Sequence, residues 1–217
     1  MEKPIITIGR EYGAGGHTVA KALSQQLGIP AYDKEIIKIT AEESGLTESI
    51  LQRTEESDGL GNLISWFLPS GGLSSYDRAI LAQAQVIRNL AAQGPCIIVG
   101  RGADYILRDL PQVINVFLYA DPADKLQYAM DTYGDTREQA ARRFRRNVGG
   151  QHIIAGGRCQ LCCGKRRSTR DKAVDQNGGD LKNYHLTLNT SPVGKLACAE
   201  LILQYARQAM EAGKGTR

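Results

Sequence analysis

The sequence predicts a three-layer α/β fold with a mostly parallel sheet of about five strands and one irregular insertion. Two observations predict this class: short apolar runs rich in β-branched residues recur along the chain, and amphipathic helical stretches lie between them. Such runs are typical of strands that are buried on both faces of a sheet. The alternation favours crossover helices that cover both sides of a parallel sheet.

Five segments carry the strand pattern. The predicted strands are Ile5 to Ile8, a short extended piece at Pro30 to Tyr32, Cys96 to Val99, Val113 to Tyr119, and His185 to Asn189. Each is too short to build a core alone, so we expect neighbouring strands to pair within one sheet.

Helices are predicted between and after these strands. Ile80, Ala84, Ile87 and Ala91 recur at spacings of four, three and four, which predicts one buried helix face. A last helix should begin at Ser191 and Pro192, since serine caps helices and proline suits their first turn. Its predicted packing face consists of Leu196, Ala199, Leu203 and Met210.

Length and composition limit the classes of protein. The chain has 217 residues and a net charge of +4, which suits a single domain (residues 1–217) with a lid or irregular insertion at 136–180. No stretch approaches the roughly 18 consecutive apolar residues of a membrane span, and no secretory signal is recognisable. We therefore expect a cytoplasmic protein whose cysteines are reduced.

A glycine-rich turn follows the first predicted strand. Glycine allows left-handed backbone and close approach of a ligand, and the start of the following helix attracts anions. The turn therefore indicates phosphate binding, although a tight strand-to-helix turn without a ligand is the alternative. The candidate binding residues are Gly13, Ala14, Gly15, Gly16, His17 and Thr18.

This turn departs from the phosphate-binding pattern GxxxxGK followed by Ser or Thr. Gly16 stands where that pattern has lysine, whereas Thr18 still offers a hydroxyl group for Mg²⁺. A catalytic loop would need its cation from elsewhere in the chain. Arg10, within the turn, is the first candidate, and the arginines of a later helix are the second.

Polar side chains also follow two other predicted strands. Arg101 and Asp104 come after Val99, and Asp33 comes after Tyr32. Ligands of parallel sheets bind beyond the carboxyl ends of the strands, so these side chains should face the crevice at the glycine-rich turn. Arginine suits a phosphate, and aspartate can accept from a sugar or base. Alternatively, Arg101 pairs with Asp104, and Asp33 only caps a helix.

A basic helix is predicted from Thr136 to Arg146. Arg142, Arg145 and Arg146 share one face of it, where like charges disfavour the helix unless an anion neutralises them. The functional interpretation is a clamp on the charge that develops during phosphoryl transfer; the alternative is a solvated face.

Two irregular stretches interrupt the α/β pattern. Residues 147–179 are rich in glycine and lack an apolar period, which predicts a mobile or disordered insertion. The insertion carries Cys159, Cys162 and Cys163 near His152, but a structural zinc site usually needs a second separated pair of ligands. Residues 58–75 suggest a flap over a pocket or, alternatively, a surface loop.

The chain resembles the cytidylate kinase-like proteins, which are bacterial relatives of the nucleoside monophosphate kinases. The resemblance covers most of Ile5 to Tyr133 and resumes from Asn183 to Leu203. It is carried by four motifs, which are Arg10 to Gly16, Tyr32 to Ile37, Val99 to Arg108, and Asn183 to Leu186.

The resemblance implies a P-loop kinase fold, ATP with Mg²⁺, and a nucleotide such as CMP or dCMP as the acceptor. It implies that the glycine loop holds ATP phosphates, that Asp33 and Arg101 face the acceptor, and that the arginine helix is the lid. Asp104 and Arg108, within the third motif, are further candidates for the acceptor site. Authentic cytidylate kinases have Asp at the position of Gly102, and a tyrosine-rich lid where residues 147–179 stand here.

Three functions remain as hypotheses from the sequence. The first is ATP-dependent phosphoryl transfer to a small phosphorylated acceptor, with Arg10, Arg142, Arg145 and Arg146 as catalytic cations. The second is a regulatory protein that binds nucleotides with weak or no kinase activity. A nucleic-acid-binding module at Arg142 to Lys172 ranks last, because this basic run lacks a docking motif and aromatic residues for stacking are absent between Asn147 and Gly179.

Overall fold

The computed structural model describes residues 3–49, 51, 75–148 and 183–214. In this part of the chain, five parallel strands form one sheet in the order β2-β3-β1-β4-β5. The strands are β1 (Ile5–Arg10), β2 (Ala31–Tyr32), β3 (Ile97–Val99), β4 (Val113–Tyr119) and β5 (Leu186–Asn189). The α/β class and the five-stranded parallel sheet predicted from the sequence are confirmed, and each predicted strand is present.

The helices connect and cover these strands. They are α1 (Gly16–Leu27), α2 (Glu35–Ser44), α3 (Ser75–Gln93), α4 (Ala103–Ile106), α5 (Pro122–Tyr133), α6 (Arg137–Val148), α7 (Thr190–Val193) and α8 (Lys195–Lys214). Among the described residues, no helix is long and apolar enough to cross a membrane.

Alternating side chains of the central strands build the two apolar layers. Ile6 and Ile8 of β1 belong to a core with α1 and α8, whereas Ile5 belongs to a core with α3 on the opposite face. Of the β3 residues, Ile97 belongs to the core with α1 and α8, and Ile98 belongs to the core with α3. Burying one such side chain stabilises the fold by about 1.5–3 kcal/mol, which explains why the sheet is apolar on both faces.

The last helix differs from its predicted form. Asn189 accepts a hydrogen bond from the Ser191 amide and caps the short helix α7, and Gly194 with φ 84° separates α7 from α8. Ala199 and Leu203 are buried as predicted, but Leu196 is 65% exposed. The prediction for Leu196 is wrong, because this residue lies in the first turn of α8, ahead of the residues that pack on α1 and the sheet.

The basic helix α6 begins with a reciprocal cap. The Thr136 amide donates to the Gln139 side chain over 2.9 Å, and the Gln139 amide donates to the Thr136 hydroxyl over 3.3 Å. This pair satisfies two amides that the helix itself cannot. The helix includes Asn147 and Val148, which the sequence pattern assigned to the irregular insertion.

Several sequence predictions lie outside the described residues. These are the flap or surface loop over most of 58–75, the insertion from 149 to 179, and the cysteines and histidine within that insertion.

Candidate functional site

The candidate site lies where β1, β2 and β3 end. β1 is the central strand, with β3 on one side and β4 on the other, so the chain changes direction across the sheet next to it. Such a switch point opens a crevice at the carboxyl ends of parallel strands. The glycine loop, defined here as Tyr12 to Thr18, follows β1 into this crevice.

Two glycines give the loop its shape. Gly13 and Gly15 have φ angles of 81° and 83°, which residues with a Cβ atom rarely adopt. A Cβ on Gly13 would lie 2.4 Å from the backbone oxygen of Lys125 in α5. The loop can pack this closely on α5 only because position 13 is glycine.

Hydrogen bonds fix the loop against the neighbouring elements. The Thr190 hydroxyl, at the start of α7, donates to the Ala14 carbonyl over 3.0 Å, and the Glu11 amide donates to the Leu118 carbonyl over 2.9 Å. Ala14 is fully buried, so its side chain packs in the core. The loop is therefore preorganised, with its glycines at the start of α1 as the sequence predicted.

Arg10 lies over the position that lysine occupies in the GxxxxGK pattern. A Cβ on Gly16 would lie 3.0 Å from Arg10 Cγ, and a Cβ on Gly100 would lie 1.8 Å from Arg10 Nη1. The guanidinium extends to Asp33, with 3.9 Å between Nη2 and Oδ1. The stem of Arg10 thus covers Gly16, while its charge lies on the β2 side of the crevice.

Asp33 joins several of the predicted site residues. Its Oδ2 lies 3.1 Å from His17 Nδ1, and its backbone carbonyl accepts a 3.1 Å hydrogen bond from Arg101 Nε. His17 and Asp33 also line a cleft of about 180 Å³ beside α1. The structure therefore brings Arg10, His17, Asp33 and Arg101 together, as expected for strand ends that meet at one edge of a sheet.

Arg101 sits in a strained turn. Its φ of 58° is the one positive value of a non-glycine residue in the described part of the chain, and Gly100 and Gly102 flank it with φ of 73° and 64°. Burial, followed by repulsion from Arg10, lowers the pKa of Arg101 to about 10. Two guanidinium groups held this close favour a bound anion, which would stabilise both charges.

Asp104 and Arg108 make other contacts. Asp104 accepts a 3.0 Å hydrogen bond from the Tyr184 hydroxyl, and burial together with Asp104 raises the pKa of Tyr184. The Arg108 guanidinium lies 4.0 Å from the centre of the Tyr105 ring and 3.8 Å from Asp109. Asp104 therefore helps to hold the segment before β5, and acceptor binding by Asp104 and Arg108 stays a prediction.

The basic helix contacts the loop through a residue that the sequence did not single out. Arg143 Nη1 donates to both oxygens of Asp135, at 2.8 and 3.0 Å, and Tyr12 donates its hydroxyl proton to the same carboxylate. Arg142 is exposed. The side chains of Arg145 and Arg146 lie outside the described part of the structure, so their catalytic role stays a prediction.

Three residues missed by sequence reasoning surround the loop. Thr18 shares a 2.6 Å hydrogen bond with Tyr128, and Lys125 is buried with its ammonium 2.7 Å from Glu11. Lys195 lies over Gly15. One signal was available for Lys125, which falls one helical turn before the buried Ala129 on the inner face of α5.

Comparison with known proteins agrees with this architecture. A family model described as the cytidylate kinase-like family matches residues 5–147, more than half of the chain. No match was found among curated proteins.

Several solved structures share the fold. An uncharacterized protein from Eubacterium ventriosum ATCC 27560 is 23% identical, with a TM-score of 0.60 over 94% of this chain and 99% of that one. Shikimate kinase from Acinetobacter baumannii, in complex with shikimate, is 16% identical, with a TM-score of 0.52 over 95% and 94% of the two chains. Shikimate kinase from Bacteroides thetaiotaomicron is 13% identical, with a TM-score of 0.50 over 96% and 98%.

The parallel sheet, the glycine loop at its switch point and the match over residues 5–147 lead to one assignment. The chain belongs to the cytidylate kinase-like family.

Proposed function

We propose that this protein transfers the γ-phosphoryl group of ATP to a small phosphorylated acceptor, namely CMP or dCMP. The observation that carries the proposal is the convergence of Arg10 and Arg101 on Asp33 beside the glycine loop. Two guanidinium groups there suit the acceptor phosphate, and the loop suits the donor phosphates.

The donor site is built from backbone and charge. Gly15 and Gly16 present the start of α1, whose free amides and dipole favour the polyphosphate. Among the described residues, no group of three or more His, Cys, Asp or Glu side chains could hold a metal. Mg²⁺ bound with ATP would neutralise part of the phosphate charge, and the hydroxyl of Thr18 is the candidate to hold it.

The reaction needs positioning more than covalent catalysis. An oxygen of the acceptor phosphate attacks the γ-phosphorus, the bond to the bridging oxygen breaks, and ADP leaves. Arg10 would stabilise the charge on the transferring group, and Arg101 would hold the acceptor phosphate. Arg142, Arg145 and Arg146 on α6 would close over the group, since Arg143 and Asp135 tie this helix to Tyr12 of the loop.

A second function is favoured by one observation. Gly16 occupies the lysine position, and Arg10, its substitute, already faces Asp33. A protein that binds nucleotides for regulation, without useful turnover, would retain the glycine loop and lack the positive charge of the loop lysine.

One experiment separates these two functions. The protein is mixed with ATP, Mg²⁺ and CMP, dCMP, UMP, AMP, GMP or shikimate in turn, and ADP release is measured with a coupled assay. We expect ADP release with CMP or dCMP and none above background with shikimate. Tight binding of ATP without ADP release for any acceptor would support the regulatory protein and refute the kinase.

Arg101 offers a test of the acceptor site by itself. Arg101→Ala and Arg101→Gly should each weaken acceptor binding about 10- to 100-fold, because both remove a charge-assisted contact to phosphate. Only Arg101→Gly removes the strain of the left-handed turn, so it should be more stable than Arg101→Ala by about 1 kcal/mol.

Calorimetry with CMP and thermal unfolding measure these two effects in the same pair of proteins. The expected difference in Tm is about 2–4 °C. Unchanged affinity in both variants would remove Arg101 from the acceptor site, and equal stability would show that the turn is not strained.

A further inference from the structure

Lys195, the first residue of α8, lies across the glycine loop. The positions of its Cγ, Cδ and Cε atoms are 2.8, 2.7 and 2.6 Å from where a Cβ on Gly15 would be. Gly15 caps α1 with φ 83°. Because Gly15 has no side chain, the stem of Lys195 can pack on the loop at the start of α1.

The ammonium group of Lys195 lies over the aromatic ring of Tyr128 in α5. Its Nζ is 4.7 Å from the centre of the Tyr128 ring, a distance at which a cation and an aromatic face attract each other. The Tyr128 hydroxyl in turn shares the 2.6 Å hydrogen bond with Thr18. The ring beneath the Lys195 ammonium is thus hydrogen-bonded to the residue that is the candidate for Mg²⁺.

Hydrogen bonds made by two residues that precede Lys195 hold it in this place. Thr190 bonds to the Ala14 carbonyl, and the Ser191 hydroxyl accepts a 2.8 Å hydrogen bond from the Asp121 amide. These bonds fix α7 against both the glycine loop and the start of α5. The first residue of α8 therefore approaches the loop from a rigid support.

Two other cations near the loop face carboxylates. Arg10 lies 3.9 Å from Asp33, and Lys125 lies 2.7 Å from Glu11. Within the described ranges of the chain, no carboxylate oxygen lies within 4.0 Å of Lys195 Nζ. A polyphosphate can therefore reach Lys195 without breaking an ion pair.

We propose that Lys195 supplies the donor-side charge that Gly16 does not, by binding the phosphates of ATP beyond the α-phosphate. Arg10 then serves the transferring group and the acceptor, so two residues from distant parts of the chain share the task of one lysine. This inference rests on the proposed function in taking ATP as the donor. Its test uses binding rather than turnover, so each can fail without the other.

The test compares Lys195→Met, which keeps an apolar stem, with Lys195→Arg, which keeps the charge. Binding of ATP, ADP, AMP and tripolyphosphate is measured by calorimetry in the presence of Mg²⁺. Lys195→Met should weaken ATP, ADP and tripolyphosphate about 10- to 100-fold and AMP less than about twofold. Lys195→Arg should retain most of the wild-type affinity.

Arg207→Met is the matched control. Arg207 is exposed on the same helix, about 18 Å further along its axis, so this variant loses the same charge away from the loop. It should bind all four compounds as the wild type does, and thermal unfolding checks that every variant is folded.

Two results would overturn the inference: wild-type ATP affinity in Lys195→Met, or an equal loss for AMP and ATP. A wild-type protein that binds ATP but releases no ADP with any acceptor contradicts the proposed function and leaves this binding test valid.

Discussion

Replacing Arg10 with alanine is expected to lower kcat for ADP release about 100- to 1,000-fold. Arg10 covers Gly16, where the usual phosphate-binding loop has lysine, with three side-chain carbons 3.0 to 3.4 Å from where a Cβ on Gly16 would be. Its removal takes away one of the positive charges that are proposed to stabilise the transferring group. The coupled assay with the best acceptor of the nucleotide panel measures the effect.

The fold should tolerate the Arg10 substitution. The Arg10 side chain is 34% exposed and lies 3.9 Å from Asp33, and an ion pair of this kind contributes about 0–1 kcal/mol. Thermal unfolding should therefore shift by no more than about 4 °C. ATP affinity should change little, since the donor phosphates are assigned to Lys195 and the loop.

A double variant sharpens this prediction. In the wild-type chain, a side chain at position 16 would meet Arg10 atoms at 3.0 to 3.4 Å, so Gly16→Lys alone is crowded. In Arg10→Ala this space is open, and added Gly16→Lys should recover about tenfold of the lost activity. Unchanged kinetics in Arg10→Ala would exclude a catalytic role for Arg10.

Gly13→Ala is expected to destabilise the protein by about 2–5 kcal/mol. The left-handed backbone at φ 81° costs about 1–2 kcal/mol for alanine, and the new Cβ would lie 2.4 Å from the Lys125 carbonyl oxygen. Backbone cannot rotate away as a side chain can, so the loop must separate from α5 at a cost of about 1–3 kcal/mol. Chemical denaturation measures the change in the free energy of unfolding.

The Gly45→Ala variant separates the cost of the left-handed backbone from the cost of the contact with α5. Gly45 ends α2 with φ 68°, and a Cβ there would have no atom within 4 Å. This variant should lose only the backbone cost, about 1–2 kcal/mol. Equal losses in Gly13→Ala and Gly45→Ala would show that the loop is not packed tightly on α5.

The sequence alone determined the sheet and the place of the site. The apolar β-branched runs mark strands because a parallel sheet is covered on both faces, and β4 runs from Val113 to Tyr119 as predicted. The same pattern predicted that Asp33 and Arg101 lie close to the glycine loop, since the carboxyl ends of parallel strands share one edge of the sheet.

Which side chains meet at the candidate site depends on contacts between distant parts of the chain. Arg143, which helix spacing did not select, ties α6 to Tyr12, because Asp135 is buried between them. Asp104 bonds to Tyr184, which is 80 residues away. No local pattern encodes such a pair.

The sequence by itself thus determined that the glycine-rich turn has Gly16 in place of the lysine of the GxxxxGK pattern, while tertiary structure decided which cations lie near it. Arg10 belongs to the turn itself and was identified from its position. Lys195 is 180 residues beyond Gly15, and a lysine at a helix start looks like any solvated charge. Only the packing of α7 on Ala14 brings it over Gly15, because the sheet order places β5 and its following helices beside the loop.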